Sequence, residues 1–345
     1  MKKWKLAIIM LVVALLLAAC GSKEEATESS NENAATQEKA KEENATEESG
    51  PVYPMTVSPT IASTESEGKG TVTFEDVTFE TKPEKLVVFD YGFLDTLHTL
   101  GVEGVVGVPK DTALPKLLEE YSSDEYTNVG TLKQPLFEDI AELDPDVIFI
   151  SARQATFYEE LKEIAPVVFV GTQDDNYWNS FLASVDTASK MFGKEAEADE
   201  YLAKYDIALK DINELAGNYK TSLVTMYNEG KLSGFASESR FGYIYTQYGF
   251  KPVTENIEGS SHGSNFGFEA ILDFDPEVLF VIDRTAATSG KESTVEEDIQ
   301  NDIIKQTTAY KNNQIVYLDG PLWYLSGGGL QSELAKIEEV LAELK

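Results

Sequence analysis

The sequence predicts an α/β protein with two Rossmann-like lobes joined by a long helical segment. Short β-rich runs alternate with helical runs in both halves, and about forty residues of purely helical spacing separate the halves. An eighteen-residue phrase also occurs twice, as LFEDIAELDPDVIFISAR up to Arg153 and as GFEAILDFDPEVLFVIDR up to Arg284. Because the copies align without a gap, each lobe contains the same helix-strand unit. A chain of 345 residues is long enough for two full cores.

An export signal is predicted over residues 1–20. The charged stretch MKKWK precedes the apolar run LAIIMLVVALLL and the tripeptide AAC, which is the order of such a signal. The string from Leu17 to Gly21 resembles the bacterial lipobox, in which the cysteine becomes the lipidated first residue. Cys20 is the single cysteine of the chain, so we expect a lipid anchor there and a location at the extracellular face of the cell membrane. An ordinary signal peptide, or an uncleaved anchor with an incidental cysteine, is the alternative.

Residues 21–70 are predicted to form a disordered acidic spacer. They contain almost no large apolar residue before Val52, so they bury too little apolar area to offset the entropy of ordering. The whole chain has 60 acidic against 28 basic residues. This excess argues against a nucleic-acid partner, because binding phosphates requires a basic face. We expect the folded body to be a monomer.

The N-terminal lobe is predicted over residues 71–177. KLVVFD (85–90) has the composition of a buried strand, FLDTLHTLG that of a helix ended by Gly101, and GVVGV that of the next strand. The first repeat copy adds the helix FEDIAELD and the strand DVIFIS, and a helix over about 154–164 precedes the strand VVFVG. This order predicts a parallel sheet covered by helices.

The linking helix is predicted over residues 178–216 and the C-terminal lobe over 217–345. Apolar residues recur at helical spacing from Trp178 to Ala216, and either one helix or two helices meeting near Gly193 fit this pattern. The second lobe has the strand TSLVTMY, a helix near RFGYIYTQYG, the repeat pair FEAILDFD and EVLFVI, the strand QIVYLD and a closing helix from about Leu330.

The arginines indicate a binding site for an anion. The chain has only three, Arg153, Arg240 and Arg284, so lysine supplies the other 25 basic residues. Arginine offers a planar fork that binds delocalised anions and stays charged when partly buried. Two of the three follow strands at the carboxyl ends where open α/β sheets bind ligands. We therefore expect an anion clamp facing the cleft, and surface ion pairs are the alternative.

Histidines and aromatic residues add further candidates. His98 fits a helix-packing role, whereas His262 lies in the small-residue loop GSSHGSNFG. With two histidines and no second cysteine, a closed zinc site is not expected, but ferric iron with oxygen and imidazole ligands remains compatible. In LDGPLWYLSGGGL, we expect Trp323 and Tyr324 to face the cleft, with a core aromatic pair as the alternative. The glycine run lacks the lysine and the serine or threonine of a P-loop, which argues against a nucleotide.

Together, the lipobox, the paired repeats, the linking helix and the ending YLDGPLWYLSGGGL resemble a ferric-siderophore-binding lipoprotein of an iron ABC importer. The resemblance covers nearly the whole folded body and is strongest towards the catecholate and petrobactin binders of Gram-positive bacteria. It implies the class III, helical-backbone periplasmic-binding-protein fold and no intrinsic cofactor. It also implies a basic triad for the catecholate anion, matched here by Arg153, Arg240 and Arg284. His262 and Tyr324 match the residues that complete the iron shell when the siderophore supplies four donors.

The resemblance further implies contact with an ABC importer permease dimer. In such proteins each lobe presents a glutamate to arginine pockets of the permease, and Glu138 and Glu269 match by their position in the repeat. The alternative is that both are solvated carboxylates favoured by the helix dipole.

The function that these observations predict is capture and delivery of an anionic ferric siderophore, without catalysis. A long linking helix resists bending, so we expect modest closure of the lobes. Three rival functions stay open from the sequence. They are a haem or cobalamin binder of the same fold, an adhesive surface lipoprotein, and a surface hydrolase that uses His262 with Ser261 or Ser264. The string GSSHG over residues 259–263 has the G-x-S-x-G spacing, but it lies in the small-residue loop and not in the strand-to-helix turn of a nucleophile elbow, so it does not support the hydrolase.

Overall fold

The computed structural model describes residues 50–66, 68–254, 256–257 and 263–344. In this part of the chain, two five-stranded sheets form the centres of two α/β lobes. The predicted fold class is confirmed. The predicted signal peptide, Cys20 and most of the spacer lie outside the described residues. No helix within the described ranges is both long enough and apolar enough to cross a membrane.

Strands alternate with helices along the chain, as the sequence patterns predict. The strands are β1 (Met55–Val57), β2 (Ser63–Ser66), β3 (Gly70–Thr73), β4 (Val77–Phe79), β5 (Leu86–Val88), β6 (Val105–Val108), β7 (Thr127–Asn128), β8 (Val147–Ile150), β9 (Val167–Phe169), β10 (Ser222–Asn228), β11 (Lys231–Phe235), β12 (Ser264–Phe266), β13 (Val278–Asp283) and β14 (Ile315–Leu318). The α-helices are α1 (Tyr91–Thr99), α2 (Phe137–Leu143), α3 (Tyr158–Lys162), α4 (Tyr177–Phe192), α5 (Glu195–Ala216), α6 (Tyr243–Thr246), α7 (Phe268–Phe274), α8 (Arg284–Ser289), α9 (Val295–Ile299), α10 (Thr308–Lys311) and α11 (Leu330–Glu343).

The N-terminal lobe has an all-parallel sheet in the order β7-β6-β5-β8-β9. Its central strands β5 and β8 are completely buried, because helices cover both faces of a parallel sheet. A 3₁₀ helix over Ala152–Phe157 and the short α3 replace the single helix that the sequence predicts over 154–164.

The C-terminal lobe has a mixed sheet in the order β12-β11-β10-β13-β14. Its strands β10, β13 and β14 are parallel, whereas β11 and β12 run antiparallel to their neighbours. Sequence analysis missed β11 and also β12, which lies in the predicted small-residue loop. Gly230 was the available signal for β11, because Glu229 and Gly230 join β10 to β11 with φ of 50° and 84°, positive values that a two-residue hairpin loop requires and that favour glycine.

Both repeat copies adopt the same local structure. Each forms a seven-residue helix, α2 or α7, that ends at an aspartate with positive φ, 50° at Asp144 and 43° at Asp275. A buried parallel strand then follows in each lobe, β8 or β13. The repeated sequence therefore places Arg153 and Arg284 just beyond equivalent strands.

The linking segment consists of two helices, so the two-helix alternative is the correct one. Gly193 ends α4 with φ of 67°, a left-handed conformation that glycine adopts without a steric penalty. Helix α4 packs into the hydrophobic core of the N-terminal lobe through Phe181 and Val185. Helix α5 bridges the lobes, since Ala198 packs in the same core whereas Ile212 packs in the core of the C-terminal lobe.

The closing helix α11 makes a second connection between the lobes. The backbone N–H of Ser332 donates to Asp95 Oδ2 at 2.7 Å, and that of Leu330 donates to Thr96 Oγ1 at 3.2 Å. A Cβ atom at Gly92 would lie 2.0 Å from the carbonyl oxygen of Gly327, so α1 meets the glycine turn by backbone contact. Two connections resist rotation of the lobes better than one, which is consistent with modest closure.

The predicted spacer over residues 21–70 extends too far and needs correction. Strands β1 and β2 lie inside that range, and β1 pairs with β4. The Tyr53 hydroxyl donates to the carbonyl oxygen of Met191 at 2.7 Å, and the Thr60 hydroxyl donates to that of Gly171 at 2.7 Å. These residues gain order from contacts with distant parts of the N-terminal lobe, which composition does not reveal.

Candidate ligand-binding cleft

A cleft of about 900 Å³ lies between the lobes. Arg153 comes from the 3₁₀ helix after β8, Arg240 from the turn after β11, and Tyr324 from the π-type turn over Pro321–Leu325. All three side chains line the cleft and are half-buried. Arg153 and Tyr324 thus reach the cleft from the carboxyl ends of parallel strands in the two lobes, where such folds bind ligands, whereas Arg240 follows the antiparallel strand β11.

Tyr324 is the point where the three arginines meet. Arg153 Nη2 donates to the backbone oxygen of Tyr324 at 3.2 Å, and Arg240 Nη2 donates to the same oxygen. Arg284 Nε donates to the Tyr324 hydroxyl at 2.9 Å. The guanidinium carbon of Arg240 also lies 4.3 Å from the centre of the Tyr324 ring, within the range of a cation–π contact. We call Arg153, Arg240 and Arg284 the arginine clamp, although Arg284 does not itself line the cleft and reaches its wall through Tyr324.

The arginine clamp forms no ion pair in the described part of the chain. Among the described residues, every ion pair is made by lysine or His98, and none by an arginine. Burial and the nearby charge of Arg240 lower the pKa of Arg153, and the charge of Asp90, which also lines the cleft, offsets them only in part. The net effect disfavours the charged form of Arg153, so an anion in the cleft would relieve this cost. The alternative that the arginines form surface ion pairs finds no support in the described contacts.

The phenol of Tyr324 is unusually acidic. Burial alone would raise its pKa, but the charge of Arg240, the hydrogen bond from Arg284 and the remaining guanidinium charges outweigh burial and hold the pKa of Tyr324 below its ordinary value. Elsewhere in the chain, burial raises the pKa of Tyr91 and Tyr205. Tyr324 can therefore present a phenolate oxygen more readily than these core tyrosines, which suits a hard cation such as ferric iron.

This acidity gives a testable pH dependence. In protein labelled with ¹³Cζ-tyrosine, we expect the resonance that disappears in Tyr324→Phe to titrate below the ordinary tyrosine range. Arg240→Ala should raise that midpoint, because Arg240 is the largest lowering influence. Since the folded pKa is depressed, ionised Tyr324 stabilises the fold above the ordinary pKa, and that contribution is lost as the pH falls through the folded value. A resonance that titrates with the core tyrosines contradicts this prediction.

Trp323 is largely a core residue. Its side chain is 1% exposed, packs in the hydrophobic core of the C-terminal lobe and donates through Nε1 to Glu339. It still contributes to the wall of the cleft. Trp323 is thus mainly a core aromatic residue, which was the alternative, whereas the Tyr324 side chain reaches the cleft.

The other predicted site residues lie apart from the cleft or cannot be placed. His262 lies outside the described residues. Glu138 and Glu269 are exposed in the first turns of α2 and α7, one in each lobe. Each is the second residue of its helix, because the two helices belong to the two copies of the repeated sequence. His98 lies in α1, with Nδ1 3.1 Å from Glu120, and its ring packs edge-on against Tyr121, in agreement with the packing role predicted for it.

Sequence analysis missed several cleft residues. Lys133, Tyr177, Glu238 and Tyr243 all line the cleft, and no motif or spacing distinguishes them in the sequence. Asn228 was also missed, and its amide oxygen accepts from Arg284 Nη1 at 2.6 Å. Its position at the end of a predicted strand was the one available signal.

Comparisons with known proteins agree with this architecture. The family described as periplasmic binding protein matches residues 86–322. The petrobactin-binding protein YclQ of Bacillus subtilis (strain 168) is 37% identical over 99% of this chain and 98% of its own. Its crystal structure superposes with a TM-score of 0.75 at 40% identity, covering 82% of this chain and 98% of that one.

A second solved structure is similar as well. The periplasmic catecholate-siderophore binding protein VctP of Vibrio cholerae has a TM-score of 0.70 at 31% identity, covering 82% of this chain and 98% of its own. The family match spans more than half of the chain, and the relative from Bacillus subtilis spans nearly all of it. The chain therefore belongs to the periplasmic binding protein family and is a solute-binding protein, not an enzyme.

Proposed function

We propose that this protein captures an anionic ferric siderophore of the catecholate class, petrobactin-like in its chelating groups, and delivers it to an ABC importer. The observation that carries the proposal is the arginine clamp. All three arginines of the chain converge on Tyr324 without an ion pair among the described residues. The binding functions in the names of YclQ and VctP support the same ligand class.

The ligand class follows from the chemistry of the cleft. Ferric catecholates carry delocalised negative charge on oxygen atoms, which guanidinium forks bind through charge-assisted hydrogen bonds. Iron is cargo here, held by the oxygen atoms of the siderophore. Where a siderophore supplies only four donors, Tyr324 and His262 are the residues that we propose to complete the iron shell. The lowered pKa of Tyr324 supports its part in this proposal.

Delivery is proposed to depend on features away from the cleft. A lipid at Cys20 would anchor the protein at the extracellular face of the cell membrane, and residues 21–50 would let the folded body stand off the membrane surface. Glu138 and Glu269 are proposed to contact the two subunits of a permease dimer. Their exposure in equivalent helices of the two lobes supports this assignment.

The proposed function is tested by titration of the protein lacking residues 1–20 with ferric bis-catecholate, ferric tris-catecholate, ferric hydroxamate, haem and cobalamin. Trp323 in the cleft wall and Trp178 serve as fluorescent reporters. We expect quenching at nanomolar concentration by catecholates alone. Preference for haem, cobalamin or hydroxamate would contradict the ligand class, and no binding at all would contradict the proposed function.

A further inference from the structure

Asn228 contacts the arginine clamp from outside the cleft. Its Oδ1 accepts a hydrogen bond from Arg284 Nη1 at 2.6 Å, and Arg284 Nε donates to the Tyr324 hydroxyl at 2.9 Å. One guanidinium therefore spans two acceptors, an amide on one side and a phenol on the other. Fixing both ends of a planar fork fixes its orientation.

The backbone holds the Asn228 amide in place. Asn228 is the last residue of β10 and pairs with Lys231 across the hairpin. In the adjacent parallel strand, Asp283 pairs with Tyr227, so Asn228 and Arg284 are the next residues at the carboxyl ends of β10 and β13. The backbone N–H of Glu229 donates to Thr285 Oγ1 at 2.8 Å, which ties the hairpin to helix α8. The acceptor for Arg284 is thus part of a rigid corner.

The acceptor is neutral, and its neutrality matters for binding an anion. An aspartate at the same position could orient Arg284 equally well but would cancel its charge. The neighbouring carboxylate of Asp283 is engaged elsewhere, because it accepts from the backbone N–H of Ala286 at 3.0 Å and from Ser293 Oγ at 2.5 Å. In the described part of the chain, Arg284 is oriented by an amide and a phenol and by no ion pair.

We propose that Asn228 is a positioning residue of the cleft, whose amide oxygen orients Arg284 towards Tyr324 while leaving the charge of Arg284 available to the ligand. This inference rests on the proposed function for the sign of the ligand's charge. Its structural part, the orientation of Arg284, is independent of any ligand. The residue determines affinity for anionic chelates through Arg284 and makes no contact with the ligand itself.

The orientation is tested by NMR on ligand-free protein labelled with ¹⁵N-arginine. The chain has three arginines, so three Nε–H signals are expected. The signal that disappears in Arg284→Lys is that of Arg284. In the unmodified protein the Arg284 Nε–H should exchange slowly with water. In Asn228→Ala it should exchange at least about tenfold faster, because the guanidinium loses one of its two fixed ends. The signals of Arg153 and Arg240 should not change. Asn265→Ala is the matched control, an exposed asparagine on β12 without a described contact to Arg284.

The role of neutrality is tested by affinity for a ferric bis-catecholate chelate. Asn228→Ala should weaken binding roughly tenfold, the effect of one hydrogen bond to a charged group. Asn228→Asp, which keeps shape and acceptor, should weaken binding more than Asn228→Ala while leaving Arg284 Nε–H protected. Unchanged exchange in Asn228→Ala, or full affinity in Asn228→Asp, overturns the inference. If the unmodified protein does not bind the chelate, the proposed function fails, and the exchange of Arg284 Nε–H still decides whether Asn228 orients it.

Discussion

Replacing Lys336 by methionine is expected to lower the free energy of unfolding by about 3–5 kcal/mol, the effect of breaking one buried ion pair. Lys336 Nζ lies 2.6 Å from Glu333 Oε1, and the two side chains are 0% and 1% exposed. Glu333 Oε1 also accepts from the Tyr177 hydroxyl and from the backbone N–H of Gly328. Without the lysine, the carboxylate keeps these two donors but loses its counter-charge. Urea denaturation measures the difference.

The location of this ion pair explains why the effect should be large. Tyr177 begins helix α4 of the N-terminal lobe, whereas Glu333 and Lys336 lie on α11. The ion pair lies within α11, and the connection between the lobes is the hydrogen bond from the Tyr177 hydroxyl to Glu333, next to the cleft whose wall includes Tyr177. Lys336 Nζ lies 5.7 Å from the centre of the Tyr243 ring and 5.8 Å from that of Trp323, so aromatic faces surround the ammonium.

Two variants control for the interpretation of the Lys336 result. Lys194→Met removes an ion pair of the same i, i+3 spacing on the surface, Lys194 to Glu197 at 2.8 Å, and should cost no more than about 1 kcal/mol. Glu333→Gln combined with Lys336→Met should recover part of the lost stability, because no buried charge is left unpaired. If Lys336→Met is no worse than Lys194→Met, the buried pair does not stabilise the connection between the lobes.

Replacing all three arginines of the clamp by alanine is expected to weaken binding of a ferric catecholate by at least about a thousandfold. Each hydrogen bond to a charged group contributes about 1.5–3 kcal/mol, and every 1.4 kcal/mol is a tenfold change in affinity. The single variants Arg153→Ala, Arg240→Ala and Arg284→Ala should each weaken binding by about tenfold or more on the same basis. Fluorescence titration at two salt concentrations measures the affinity and its dependence on charge.

The control for the arginine clamp removes the same charge elsewhere. Alanine replacements of Lys190, Lys204 and Lys210 also remove three positive charges, from exposed ion pairs on α4 and α5. They should leave affinity nearly unchanged, because solvent and salt screen charges at that exposure. Lysine at the three clamp positions keeps the charge but loses the planar fork, so intermediate affinity is expected. If the triple arginine variant and the triple lysine variant bind the ferric catecholate with equal affinity, overall charge governs binding and the arginine clamp does not.

Much of the fold was predictable because local patterns report it. The repeat aligned Arg153 with Arg284, and both lie at the ends of buried parallel strands. The positive φ at Asp144 and Asp275 shows that the copies share backbone conformation as well as sequence. Hydrophobic periodicity indicates which face of an element is buried, and a buried strand of a parallel sheet is recognisable without tertiary information.

Other features depend on contacts that periodicity does not encode. Strands β1 and β2 fall in a segment whose composition predicts disorder, and Tyr53 and Thr60 in the same segment form hydrogen bonds to residues more than a hundred positions away. Trp323 and Tyr324 are neighbours in sequence, yet one is buried in a core and the other faces the cleft. Both residues lie in the π-type turn over Pro321–Leu325. No pattern in the sequence predicts this turn.

The sequence by itself determined the two-lobe α/β fold, the binding class of the protein and the three arginines that an anion site requires. The tertiary structure decided that these arginines meet at Tyr324, that Arg284 donates to Asn228, and that Tyr177 joins Glu333 next to the cleft. The hydrogen bond from Arg153 to Tyr324 connects residues 171 positions apart. Such a contact exists only after both lobes and their connections have formed, because the entropy of closing the chain between them is offset by the packing of the whole body.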